Sequence, residues 1–363
     1  MEKNKRIVVK VGTKVITSSQ RTLDKALVKS IVSQVADIRD SGVDVLLVTS
    51  GAIGAGMGLL GIKKRPTELS ELQATAAIGQ NYLMQLYSEY FKARGYLAGQ
   101  ILLTQDDFND RKRYGNIKHT IDALLKHKAI PIINENDTVA TEEIKCGDND
   151  RLSSLVADIC QADKLILLTD VNGLLDESGY VIKTVVEVSH KILKLVGKSH
   201  CDLGTGGMAT KLRSAQAAAK AGIDCIIANG LTKNILCKIV LGGESAGTTI
   251  KSANKKFDSK KRWIAYSSRA KGNISVDDGA KVAIYENNKS LLASGIVSVD
   301  GNFISGDVVS VMDKDGNEFA RGLSNYSAAE VKKVKGLKSS DFKNILGCER
   351  QDEIIHKDNL AVL

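Results

Sequence analysis

Short apolar runs alternate with longer stretches of helical spacing through residues 1–250. Residues 6–11 are rich in β-branched side chains and end at Gly12, which predicts a strand. Residues 23–41 carry apolar positions at helical spacing and stop at Gly42. Residues 43–48 form a near-continuous apolar strand, the pattern of a parallel sheet buried on both faces. The same reading predicts helices over 70–94, 111–127, 150–160 and 208–221, and strands over 97–103, 129–133, 164–168 and 223–228. Strands alternating with helices predict an α/β domain, an αβα sandwich around a mainly parallel sheet. Ligands of such sheets bind outside the carboxyl ends of the strands, so those ends are where chemistry is sought.

The texture changes after Lys251. Lys251, Lys255, Lys256, Lys260, Lys261, Arg262, Arg269 and Lys271 cluster with only Asp258 among them. Beyond them, short strands are punctuated by Asp277-Asp278-Gly279, Asp300-Gly301, Ser305-Gly306-Asp307 and 313–316, the texture of a small β-rich module. The expected organisation is a catalytic domain over 1–255, a basic linker region over 256–271 and the module over 272–355. No internal repeat is evident.

Composition narrows the class. A chain of 363 residues, 43% of them apolar, can bury more than one core and does not read as disordered. The net charge of +9 favours anionic partners, although simple solubility explains it equally well. The six cysteines include no C-x-x-C pair and none at zinc-ligand spacing with a histidine, so reduced, mostly buried thiols are expected. The opening MEKNKRIVVKVG lacks the apolar core of a signal peptide, and no apolar run approaches the ~20 residues of a membrane helix. The expectation is a soluble cytoplasmic protein with no membrane partner.

Five motifs fall at the predicted strand ends. Lys10-Val11-Gly12-Thr13 can present an ammonium and backbone N–H groups to phosphates, though a lysine ending an edge strand is often simply solvated. It lacks P-loop spacing. Thr49-Ser50-Gly51-Ala52, followed by Gly54, Gly56 and Gly58, opens a helix N-terminus suited to an anion, or is a tight turn with Ser50 as N-cap. Asn134-Glu135-Asn136-Asp137 and Gly147-Asp148-Asn149-Asp150 place dense polar groups after an apolar strand. Asp137 and Asn149 suit the α-amino and carboxylate groups of an amino acid, and Asp148 and Asp150 suit a metal or lysines. The alternative is a solvated loop in which 148–150 cap the next helix. The remaining motifs are Leu168-Thr169-Asp170-Val171-Asn172-Gly173, and Gly204-Thr205-Gly206-Gly207-Met208-Ala209-Thr210-Lys211. In the last, glycines precede a helix whose first turn carries a lysine, which can grip a polyphosphate or be a flexible loop. All five histidines lie outside these motifs.

Together and in this order the motifs resemble the amino acid kinase family, over nearly the whole chain. Within the family the block 133–150 resembles the branch that phosphorylates the side-chain carboxylate of glutamate, not those acting on carbamate, aspartate, acetylglutamate or uridylate. Cys146 departs from the pattern, where another small apolar residue is usual. The C-terminal module, with Arg262-Trp263-Ile264 and Gly301-Asn302-Phe303, resembles a PUA domain. The resemblance implies that Lys10 and Lys211 flank the phosphoryl group in flight and that Asp150 holds both lysines. It implies that Ser50, Asp137, Asn149 and Asp148 bind glutamate. It assigns ATP to Lys10, Gly12 (through its N–H), Thr169, Asp170 and the loop Thr205, Gly206, Gly207, Met208, Ala209, Thr210 and Lys211. Mg²⁺ comes with ATP, with no protein metal site. The product is γ-glutamyl phosphate, committed to proline synthesis. Proline as feedback inhibitor, a homo-oligomer and coupling to glutamyl phosphate reductase follow as expectations. Phosphorylating a carboxylate needs positioning and charge neutralisation rather than a base, which suits a site with two lysines and no histidine. Two other readings stay open: a family member with another carboxylate substrate, and an RNA-binding protein, since PUA-like folds elsewhere bind RNA and 255–271 is basic.

Overall fold

The β-branched run at the start forms strand β1 (Arg6–Val11), buried from Ile7 to Val11. It belongs to a computed structural model that describes residues 5–17, 22–140, 149–196, 207–252, 259–338, 342, 345 and 351–363. The chain divides into two compact units, Met1–Phe108 with Lys112–Lys255, and Asn109–Arg111 with Lys256–Leu363.

After β1 come α1 (Thr13–Ile16), α2 (Lys25–Asp40), β2 (Asp44–Thr49), α3 (Ala52–Leu60), α4 (Leu69–Lys92) and β3 (Ala98–Leu103). Then follow α5 (Gln105–Asn109), α6 (Arg111–Lys126), β4 (Ile130–Glu135), α7 (Asn149–Ile159), β5 (Lys164–Thr169), β6 (Thr184–Val185) and α8 (His190–Leu195). The elements α9 (Met208–Lys220), β7 (Asp224–Asn229), α10 (Ile235–Val240) and β8 (Thr248–Ile250) complete the series. The eight strands form one sheet in the order β3-β4-β2-β1-β5-β7-β8-β6. It is parallel except where β8 runs antiparallel to β7.

Alternation along β1 sorts the layers. Ile7, Val9 and Val11 join a core built from α2, the second half of α4 and α10, including Val35, Tyr87, Phe91 and Leu236. Val8 and Lys10 therefore face the other side of the sheet, where α7 packs on β1, β2, β4 and β5. Helices α3 and α4 approach backbone to backbone through two glycines. A Cβ on Gly79 would lie 1.8 Å from Ala52 O, and one on Gly56 1.9 Å from Thr75 O, so no other residue fits at either position. Register aligns the strand ends: Val11 pairs with Thr49 of β2 and with Leu168 of β5. The polar ends of the central strands thus open on one rim.

In the second unit, α11 (Ser259–Arg262) leads into a π-helical turn (Trp263–Ser267). Then follow β9 (Gly272–Val276), α12 (Asp278–Tyr285), β10 (Leu291–Leu292), β11 (Ile296–Gly301), β12 (Val308–Met312), β13 (Glu318–Leu323), α13 (Ala328–Val334), β14 (Glu353–Ile355) and β15 (Leu360–Val362). Five strands pair in the order β11-β9-β12-β13-β15, and β10 pairs with β14. Its core gathers Ile274, Phe303, Val309, Tyr326, Val331 and Ile355. Residues 259–267 lie in the stretch expected as a basic linker, yet Trp263, Ile264 and Ala265 are buried. Arg321 Nη1 of β13 donates to Ala265 O at 3.2 Å and to Ser268 O at 3.3 Å, which ties this segment to the unit. The unit also runs beyond residue 355, because β15 pairs with β13. Among the described residues, no helix is long and apolar enough to cross a membrane. Cys160 and Cys225 are buried thiols outside any disulfide and Cys237 is a half-buried one; Cys146, Cys201 and Cys348 lie outside the described residues.

Candidate active site

Lys10 stands one residue before the end of β1, a central strand of the sheet, and the residue is 5% exposed. The solvated edge lysine is therefore not what forms. A buried ammonium needs a partner, and it has one: Nζ lies 2.6 Å from Asp150 Oδ1, in the first turn of α7. The other carboxylate oxygen, Oδ2, takes Lys211 Nζ at 3.1 Å, from the first turn of α9. Thr210 Oγ1 reaches the same oxygen at 3.1 Å. Asp150 is 1% exposed and Lys211 5% exposed, so the triad is shielded from water. Burial by itself would raise the Asp150 pKa, but the two ammonium groups outweigh it and the carboxyl is held below its usual range. Burial pushes the Lys211 ammonium down, against the pull of Asp150, and Lys10 adds to the lowering.

Two cavities meet at this triad. The larger, about 400 Å³, is lined by Lys10, Gly12, Thr169, Asp170, Gly207, Met208 and Lys211. Gly207 is the N-cap of α9, a helix of 13 residues, so the positive end of its dipole faces the cavity. Asp170 pairs with Lys14 at 3.0 Å. Its half-exposed carboxyl sits below the usual range: burial opposes this, and hydrogen bonds from Lys14 and its own backbone overcome it. The smaller cavity is lined by Ser50, Asn134, Asp137 and Asn149. The two share Lys10, Thr13, Ile53, Gly54 and Arg65.

Asn149 organises the smaller cavity. Its Nδ2 lies 3.0 Å from Thr49 O, 2.9 Å from Ser50 Oγ and 2.9 Å from Asn134 Oδ1. Asn134 Nδ2 donates in turn to Gln80 Oε1 at 2.7 Å, which anchors the end of β4 to α4. Ser50 does not cap α3; Gly51 holds that position in the left-handed region, at φ 101°, with no side-chain cap. Burial pushes the half-buried Asp137 carboxyl up to about 6, while the Arg65 guanidinium pulls the other way.

Most residues expected at the site come together here, with three differences. The Gly12 N–H, expected to face a phosphate, donates to Leu168 O at 3.2 Å, so Gly12 contributes space rather than a free donor. Ala209 and Thr210, expected on the nucleotide, line neither cavity, and Thr210 instead supports Asp150. Asp148, Thr205 and Gly206 lie outside the described residues. Arg65, Thr13 and Asn134 were not singled out in advance. Asn134 sits in a motif already marked. Arg65 lies in a polar stretch between helices and its only signal was its charge. Among the described residues no cluster of three or more metal-ligating side chains occurs.

The model of the amino acid kinase family matches residues 5–229, and that of the PUA domain matches residues 272–346. The chain is 47% identical over 364 aligned positions to the glutamate 5-kinase of Caldanaerobacter subterraneus subsp. tengcongensis, covering 99% of this chain and 98% of that one. It is 43% identical to the glutamate 5-kinase of Geobacter sulfurreducens, covering 100% and 99%. Among solved structures, carbamate kinase from Giardia lamblia bound to AMP-PNP aligns with a TM-score of 0.48 at 20% identity, over 70% of this chain and 100% of that one. On the family match and its full-length relatives, the chain belongs to the amino acid kinase family.

Proposed function

We propose that this chain transfers the γ-phosphoryl group of ATP to the side-chain carboxylate of L-glutamate, the first step of proline biosynthesis. The observation that carries this reading is the position of Lys10, held by Asp150 where the two cavities meet. The larger cavity, with a helix N-terminus and three lysines, suits a nucleotide; the smaller, with Ser50, Asp137 and Asn149, suits an amino acid. The full-length relatives named glutamate 5-kinase support glutamate as the acceptor.

The chemistry asks little of the protein beyond placement. A side-chain carboxylate with a pKa of about 4.3 is already ionised at neutral pH, so no base removes a proton. A carboxylate oxygen bonds to the γ-phosphorus, and the bond to the bridging oxygen breaks with its electron pair leaving on ADP. Lys10 and Lys211 sit where they neutralise the charge on the transferring group, and Asp150 fixes both ammonium groups in advance. Mg²⁺ belongs to the same proposal as the companion of ATP, supplying charge neutralisation on the phosphates. Asp170, held ionised beside the larger cavity, is the carboxylate suited to hold its hydration shell. Proline carries the same α-amino and α-carboxylate groups as glutamate, so in this reading it competes for the smaller cavity.

The test is ADP release with Mg²⁺-ATP and a panel of carboxylates, with hydroxylamine present to trap the acyl phosphate as a hydroxamate. Glutamate should be phosphorylated, and aspartate, acetylglutamate and carbamate poorly. A faster reaction with aspartate or acetylglutamate than with glutamate overturns the assignment.

A further inference from the structure

Arg65 stands in the segment between α3 and α4, directly before Pro66. It lines both cavities, as Lys10 does. Among the described residues, three charged side chains line the smaller cavity: Lys10, Arg65 and Asp137. Free glutamate at neutral pH also carries three charges, two carboxylates and one ammonium. The described part of the lining offers both signs, two cations and one anion.

Chemistry assigns each charge. Lys10 is bound to Asp150 at the junction, where the reacting side-chain carboxylate meets the phosphoryl group. Asp137 is the anion and suits the α-ammonium. The α-carboxylate is attached to the same carbon as that ammonium, so its partner must be a neighbour of Asp137. Arg65 is a neighbour of that kind: it lines the same small cavity as Asp137, and its guanidinium acts on the Asp137 carboxyl. A guanidinium offers two parallel N–H groups that match a carboxylate, which an ammonium does not. We propose that Arg65 grips the α-carboxylate of the acceptor beside Asp137, and so sets the preference for an α-amino acid over a simple carboxylic acid. The inference rests on the reading of glutamate as acceptor.

The experiment compares Arg65→Gln and Arg65→Lys with the wild-type chain, using glutamate as substrate and two truncated analogues as competitive inhibitors. Glutarate lacks the α-amino group, and 4-aminobutyrate lacks the α-carboxylate. Arg65→Gln should raise KM for glutamate and the inhibition constant of glutarate on the order of 10- to 100-fold, the loss of one charge-assisted contact. The inhibition constant of 4-aminobutyrate and KM for ATP should hardly move. Arg65→Lys keeps the charge but loses the fork, and should fall between. Equal weakening of all three ligands overturns the assignment in favour of a structural role. A rise in KM for ATP with KM for glutamate unchanged overturns it in favour of the phosphates. If Arg65→Gln does not fold, the same three constants of Arg65→Lys decide. Absence of glutamate-dependent ADP release in the wild-type chain defeats the acceptor reading and this assignment together. Wild-type activity on glutamate with an unchanged KM in Arg65→Gln defeats the assignment of Arg65 alone.

Discussion

Asp150 directs its two carboxylate oxygens at two lysines from different elements, Lys10 of β1 and Lys211 of α9. Such an arrangement pays its desolvation cost during folding, so the lysines need not reorganise when charge develops in the transition state. Groups of that kind show in kcat more than in KM. Lys10→Ala and Lys211→Ala should each lower kcat on the order of 10²-fold or more, measured at saturating glutamate and ATP. Arginine should restore neither, since its planar fork does not fit the place of a compact ammonium. Asn149→Ala should instead raise KM for glutamate more than KM for ATP. Intact kcat in Lys211→Ala with weakened glutamate would reverse these roles. Asp137 adds a pH dependence. Its folded pKa is raised to about 6, so the free site gains a proton as pH falls through that value. A protonated carboxyl cannot pair with an ammonium, while the side chain of glutamate, with a pKa of about 4.3, stays ionised across this window. KM for glutamate should therefore rise as pH falls below about 6. The stability effect has the opposite sense: a raised carboxyl favours the folded state at low pH, and that contribution is lost as pH rises through about 6. Glutamate should therefore shift Tm more above that pH than below it, and Asp137→Asn should abolish the step in both KM and Tm.

The central strands were legible because both their faces are buried and their sequences read as unbroken apolar runs. In β2 all six residues are buried. Each run ends in a polar motif, so Lys10, Ser50 and Thr169 could be marked before any pairing was known. The pairing itself was not legible. The strands β8 and β6 have three and two residues, too few to show a period, and the antiparallel turn of β8 onto β7 is a long-range fact. Gly56 read as part of a turn opening a helix and Gly79 fell inside the helix predicted over 70–94, yet nothing local marked either as the place where α3 and α4 touch. Their meaning depends on a neighbour that the local sequence does not name. The engagement of the Gly12 N–H by Leu168 O is of the same kind, set by the pairing of β1 with β5. Residues 259–267 misled through averaging: three buried apolar residues, Trp263 to Ala265, follow a run of basic ones. Arg65 escaped because no strand end or glycine run flags it.

At the scale of the whole chain, the two units have separate cores that share no residue, one drawn from 7–239 and the other from 274–360. The triad, both cavities that meet at it, and every described residue assigned to substrate or nucleotide belong to the first unit. A larger cavity, about 730 Å³, belongs to the second unit, lined by Asp277, Lys289, Glu353 and His356 among others. Size does not choose between them. The chemistry requires the fixed cations of the triad, and the cavity of the second unit is not lined by any of its residues. The β8 strand closes the first sheet at Ile250, before the second unit begins. A chain ended at Lys255 therefore retains every strand of the catalytic sheet. It should retain glutamate-dependent ADP release, with the same order of preference among carboxylates, while circular dichroism shows its helices intact. The kinetic effect of Lys211→Ala should also persist in the shortened chain, because Lys211 and Asp150 both lie within it. Loss of all activity in a soluble shortened chain with native helix content would mean that the second unit supplies part of the site.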